Sequence, residues 1–180
     1  MVYFDGRLQD SGEYDRNGRP LYVLVVENQN GAVEQIVPTY QPGDIIYVRE
    51  TFRIDYLSNI PGSGRIHYKA DDSYADFSFP AYRYEMMRRA QLKPGWRPNE
   101  NMPREAARIF PRVTDVRVER LQDIDDGGVI AEGLEIGAPF DEIWDKTIEK
   151  ADRALYGWDA NPWVWAIEFE RCEKPEEANL

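Results

Sequence analysis

Residues 158–169 read WDANPWVWAIEF. Asp159 and Asn161 are turn formers, because their short polar side chains bond the local backbone and tolerate left-handed geometry. From Pro162 onward the pattern alternates. Trp165, Ile167 and Phe169 share one face and Ala166, Glu168 and Glu170 the other, which predicts a strand over 161–172 with Trp165 in the core. The segment before it changes period. In PFDEIWDKTIEKADRALYG (139–157), Phe140, Ile143, Trp144, Ile148, Ala151 and Leu155 fall on one stripe at helical spacing. Asp141 and Glu142 suit the first turn of that helix, and Gly157 can close it. A long helix feeding an aromatic strand implies an α+β chain.

Working outward, strands are expected over 21–27 (LYVLVVE), 32–37, 45–54 (IIYVRETFRI), 65–70 (RIHYKA) and 113–120 (VTDVRVER). NQNG at 28–31 signals a hairpin turn, and QPGD at 41–44 a second turn. YRYEMMRRAQL (82–92) predicts a short helix, and Pro103 opens one or two helical turns over 103–109. Residues 71–100 are otherwise irregular, and an irregular stretch inside a compact domain is often functional. Asp125 or Asp126 is placed to cap a helix beginning at Gly127. The parts sum to one domain over 1–180, with an atypical N-terminal segment over 1–20 and an acidic tail over 173–180.

The chain carries 33 acidic and 22 basic residues, for a net charge of −11. That argues against indiscriminate nucleic-acid binding, which needs clustered Lys and Arg. One cysteine, Cys172, excludes an intrachain disulfide, and one histidine, His67, leaves too few ligands for a structural zinc site. No metal and no cofactor is expected. The chain has no apolar run of membrane-spanning length and no signal-like start. Both point to a cytoplasmic protein with no membrane partner.

Five stretches recur in the same order in a known family: PGDIIYVRETF (42–52), WRPNENMPREAAR (96–108), VTDVRVERLQDI (113–124), AEGL (131–134) and WDANPWVWAIEF (158–169). In these the chain resembles phage-type ASCH-domain proteins of the PUA-like superfamily, over roughly residues 40 to 172. The resemblance implies a PUA-like small β-barrel with helical insertions, and a cleft suited to RNA or a modified nucleoside. It would place a phage-encoded protein in the host cytoplasm. One bacterial branch is similar to an amidohydrolase that removes an acyl group from the exocyclic nitrogen of cytidine. Its chemistry is assigned to a Lys and a Thr in a Gly-Arg-Lys-Thr stretch and to a distal Glu. By spacing that Glu falls on Glu132. Gly6-Arg7 is followed here by Leu8-Gln9, so the Lys and Thr have no counterpart.

Glu132 therefore reads two ways, as a carboxylate for proton transfer in a cleft or as an ordinary helix-end acid. The family reading sets Arg49 or Arg53 against a phosphate; the plainer reading of this strand end is surface charge facing solvent. Glu50 shares a face with Ile46 and Val48, so it should be partly buried and in need of a basic or hydrogen-bonding partner. Arg88, Arg89, Lys93, Arg97, Arg104, Arg108 and Arg112 concentrate positive charge in the middle of the acidic chain. With Tyr82, Tyr84 and Trp96 interleaved they would supply phosphate contacts and base stacking, or form a solvated surface paired with Glu85, Glu100 and Glu105. Trp158 or Trp163 is a further stacking candidate. His67 and Cys172 read as structural.

Three functions follow. The first is binding of single-stranded RNA or a nucleoside or nucleotide through Arg49, Glu50, Arg53, Trp96, Arg97, Arg104, Arg108 and Trp158. The second is amide hydrolysis on an N-acylated cytidine with Glu132 catalytic. The third is an acidic interaction module for a basic host or phage protein. The oligomeric state is not legible.

Overall fold

In a computed structural model of the chain, residues 8–14, 18–27, 33–58 and 62–175 are described. The NQNG turn, Gly6-Arg7 and the last five residues of the tail lie outside them. The fold is α+β, with more strand than helix. Its described strands form sheets of three, three and two members, and none closes on itself. The chain divides into two compact units, Met1–Gly43 with Val113–Glu168, and Asp44–Arg112 with Phe169–Leu180. No helix among the described residues is long and apolar enough to cross a membrane.

In the first unit β1 (Leu8–Tyr14), β2 (Pro20–Glu27) and β3 (Val33–Ile36) make an antiparallel meander. Val23 and Leu24 of β2 are buried. Later in the same unit, α2 (Asp126–Ala131) follows the expectation closely: the Asp125 side chain accepts from the Gly128 N–H at 2.8 Å.

The expected helix over 139–157 is instead two pieces, α3 (Phe140–Thr147) and α4 (Arg153–Tyr156), with Ile148 extended between them. Hydrogen bonds that fold the chain back replace the missing turns. The Trp144 indole N–H donates to the Tyr156 carbonyl at 2.8 Å, and the Trp158 N–H donates to the Asp145 carboxylate at 2.8 Å. In a continuous helix residues 144 and 156 would stand about 18 Å apart, at 1.5 Å per residue. Leu155, assigned to the apolar stripe, is exposed as a result.

Asn161 then adopts a left-handed conformation, φ 44°, and turns the chain into β8 (Trp163–Cys172). β8 pairs with β7 (Phe110–Arg120), which starts three residues before the expected strand. Val113, Val116 and Val118 of β7 are buried. Trp165 is half-buried rather than fully in the core.

The second unit holds the larger apolar cluster. It is built around the antiparallel meander β4 (Phe52–Leu57), β5 (Ser63–Tyr68) and β6 (Tyr74–Ser78). Phe52, Ile54, Ile66, Tyr68 and Phe77 fill that core from the sheet. Met87 of α1 (Tyr84–Gln91), Met102 and Phe110 pack onto it.

Two expectations shift here. The strand foreseen over 45–54 becomes a regular ladder only at Phe52. Before that, Ile46 N–H donates to the Pro111 carbonyl, but Pro111 has no N–H to return, so the pairing stays sporadic. Conversely, β6 lies in the stretch read as irregular. Its Ala, Asp and Ser carry little strand propensity, and the pairing with β5 supplies the order.

Candidate functional site

Sheet register in the second unit assembles the most distinctive side-chain cluster. Arg53 of β4 pairs with His67 of β5, and His67 with Tyr74 of β6, so the three stand in one row across the sheet. They occupy the face opposite Phe52, Ile54 and Ile66. His67 is nonetheless buried, because Tyr74 stacks on its ring at 4.0 Å and Trp96 covers it at 4.8 Å. Trp96 is held there by its neighbour: Phe52 and Arg97 exchange backbone hydrogen bonds at 3.1 and 2.6 Å, which lays the 93–99 loop along the edge of β4. Gly95 takes φ 83° in that loop, directly after Pro94, as a tight turn requires.

Both ring nitrogens of His67 are used. Arg53 Nε donates to Nδ1 at 2.9 Å. An arginine Nε always carries its hydrogen, so the ring proton sits on Nε2 and goes to the Asp72 carboxylate at 2.5 Å. Asp72 reaches it from a left-handed position, φ 57°, in the β5–β6 connection. Arg53 is also seated over the Trp96 ring, 5.2 Å from its centroid. Neither Nη nitrogen of Arg53 has a partner among the described residues.

A second cluster is closed. Arg108 grips Glu50 with two bonds, Nε at 2.8 Å and Nη2 at 2.6 Å. Its remaining N–H groups go to Asp71 at 2.8 and 3.1 Å and to the Ser73 hydroxyl at 2.8 Å. The guanidinium lies flat over Tyr68, 3.9 Å from the ring centroid, and the Tyr68 hydroxyl donates to the Ala106 carbonyl. Glu50 is partly buried, as expected, with a side chain 9% exposed, although Val48 on the same face is exposed. All five donors of Arg108 are spent inside the protein. It is a clamp between segments, with no N–H left for a ligand.

The clamp has a pH signature. The Arg108 hydrogen bonds, then the Ser73 hydroxyl, hold the Asp71 carboxyl well below the usual carboxylate range. A carboxyl more acidic when folded stabilises the fold fully above its unfolded value of about 3.9, and loses that contribution as pH falls through the folded value. The melting temperatures of the wild-type chain and Asp71→Asn should therefore differ by a constant amount above about pH 5 and converge in stronger acid. A gap unchanged down to pH 2 would show that Asp71 is not stabilised by Arg108. Burial acts on Tyr68 in the opposite sense to Arg108 and prevails, pushing its phenol up to about 12.

The third feature is a groove of about 360 Å³ between β4, α1 and the 97–103 segment. Phe52, Ile54, Met87 and Met102 give it an apolar floor. Arg49, Arg83, Arg89, Lys93 and Arg97 supply cations, and Glu100 is its one acid. A smaller pocket of about 330 Å³ shares Ile54, Ala90, Lys93 and Arg97 with it and adds Arg53 and Asp55. Arg83 is paired with Glu105. Arg89, Lys93 and Arg97 have no carboxylate partner among the described residues, and Arg97 Nε is buried without any hydrogen bond. Among the described residues Arg49 donates only to the Glu100 carbonyl and the Tyr47 hydroxyl. Arg104 lies over the same Tyr47 ring at 5.8 Å, and its Nε is likewise unpartnered.

The local charge is the reverse of the chain's. Residues 44–112 carry twelve Lys and Arg against nine Asp and Glu, within a protein of net charge −11.

The remaining candidates are in the first unit. Glu132 is the C-cap residue of α2, where Gly133 turns left-handed at φ 82° and Leu134 N–H bonds back to the Val129 carbonyl. Its side chain is exposed and has no hydrogen-bond or ion-pair partner among the described residues. Trp158 packs edge-on against Phe140 at 5.9 Å. Trp163 is more exposed and carries Arg120 over its ring at 4.1 Å.

Sequence reasoning had singled out Arg49, Arg53, Trp96, Arg97 and Arg104, but not the His67–Asp72 pair that positions Arg53. The available signal was local: two aspartates four and five residues beyond a strand histidine, in a stretch ready to turn. No group of three or more His, Cys, Asp or Glu able to hold a metal occurs among the described residues. Comparison with protein-family models, curated proteins and solved structures finds no match.

Proposed function

We propose that the chain is an ASCH-type, PUA-like binding protein that holds single-stranded RNA or a nucleotide in the cationic groove of the second unit. On this reading the β4–β5–β6 meander is the ligand-bearing part of a PUA-like barrel. One observation carries the proposal: cationic side chains without carboxylate partners line one groove of an otherwise acidic chain. Unpaired cations this close together repel one another, and a polyanion relieves that repulsion. The apolar floor suits a base or ribose face, and the cationic rim suits phosphates.

Binding of a fluorescent ten-nucleotide single strand, followed by anisotropy, tests this. Three phosphate contacts, from Arg49, Lys93 and Arg97, predict a log–log salt slope of about −2. Affinity should then fall about 20-fold between 50 and 200 mM salt. Arg49→Ala should flatten the slope by about 0.7, and Glu132→Gln should change nothing. No association with RNA or a mononucleotide at 50 mM salt would overturn the proposal.

A further inference from the structure

The pocket beside Arg53 differs from the rest of the groove in being pre-ordered. Its cation is fixed at three points: the backbone of β4, the Nδ1 of a buried histidine, and the face of Trp96. The His67 ring that orients it is itself fixed by Asp72 and stacked on Tyr74. What remains of Arg53 is a planar fork of two Nη nitrogens without a partner among the described residues. Such a fork matches two oxygens of one oxyanion, and its side-chain entropy is already spent. Lys93 and Arg97 line the same pocket, and Asp55 is its only acid.

We propose that this pocket recognises a terminal phosphate, a phosphomonoester, at the end of the strand or nucleotide bound in the groove. The inference rests on the groove reading and names the part of the ligand that is read. Three cations against one carboxylate leave an excess of two positive charges. An internal phosphodiester offers one negative charge, whereas a phosphomonoester offers nearly two and a third acceptor oxygen. Two oxygens meet the Arg53 fork, and the third is left for Lys93 or Arg97. His67, Asp72 and Trp96 are positioning residues that act only through Arg53.

The test uses the full chain and one oligonucleotide prepared with a 5′-phosphate, a 3′-phosphate or hydroxyls at both ends. Phenyl phosphate serves as a phosphomonoester without a nucleotide. The expected result is at least tenfold tighter binding of one phosphorylated form, and competition by phenyl phosphate at the same site. Arg53→Lys keeps the charge but loses the fork, so it should bring the three oligonucleotides to the same affinity. Lys93→Ala, at an exposed position, should weaken the preference without affecting the fold. Equal affinity for all three oligonucleotides would overturn the terminal-phosphate site and leave the groove reading standing. If no oligonucleotide binds, the groove reading falls and phenyl phosphate decides alone. Binding that Arg53→Lys removes supports the site, and absence of binding overturns it.

Discussion

Arg108→Met should destabilise the protein by about 3–5 kcal/mol, the cost of leaving a buried charge without its partner. The charge in question is Glu50, whose side chain is 9% exposed and whose two oxygens both face the Arg108 guanidinium. Removing the arginine leaves that carboxylate in a desolvated position with no other cation bonded to it. Asp71, by contrast, is half exposed and would return to water at little cost. The larger part of the loss should therefore trace to Glu50, with a smaller share from the Asp71 bonds. The double variant Glu50→Leu/Arg108→Met removes both charges and should recover most of the stability, since a buried ion pair is often replaceable by apolar groups of similar size. Urea unfolding of the three chains measures both effects. A cost below 1 kcal/mol for Arg108→Met would mean that the segments bearing residues 50, 71 and 108 are held by other contacts.

Lys93→Glu combined with Arg97→Glu should abolish ligand binding while leaving the fold intact. Each removed charge-assisted hydrogen bond is worth about 1.5–3 kcal/mol, so two lost contacts amount to a loss of at least about 100-fold in affinity. The reversed charges add repulsion to that loss. Lys93 is exposed, and the backbone pairing of Arg97 with Phe52 does not use its side chain; because Arg97 Nε is buried, thermal melting of the double variant accompanies the binding measurement. Unchanged affinity in a folded double variant would place the ligand elsewhere on the molecule.

Much of the framework was legible from residues alone. The strand over β8 follows from its alternation, and the capped start of α2 from the Asp pair preceding two glycines. The short helix α1 is likewise evident in YRYEMMRRAQL. Periodicity reports which residues prefer a common face, and it serves where neighbours in sequence decide the geometry. It misled where distant groups decide. The apolar stripe over 139–157 fits one helix, yet the side chains of Trp144 and Asp145 bond the backbone of residues 156 and 158 and break it in two. The alternation over 45–54 fits one strand, yet the partner segment offers a proline where a donor is needed.

The candidate site divides in the same way. Residue types and spacing are enough to see that the middle of an acidic chain carries an excess of arginine, and that a partly buried Glu50 needs a basic or hydrogen-bonding partner. Which arginines are consumed follows from long-range contacts. Arg108 lies 58 positions from Glu50 and 37 from Asp71, yet gives all its donors to those two residues and Ser73. Arg53 lies 14 positions from His67 and is left with an open fork. Charge is a property of the residue and can be read from the chain. Whether that charge is satisfied depends on sheet register and loop placement, which set distances between groups far apart in sequence.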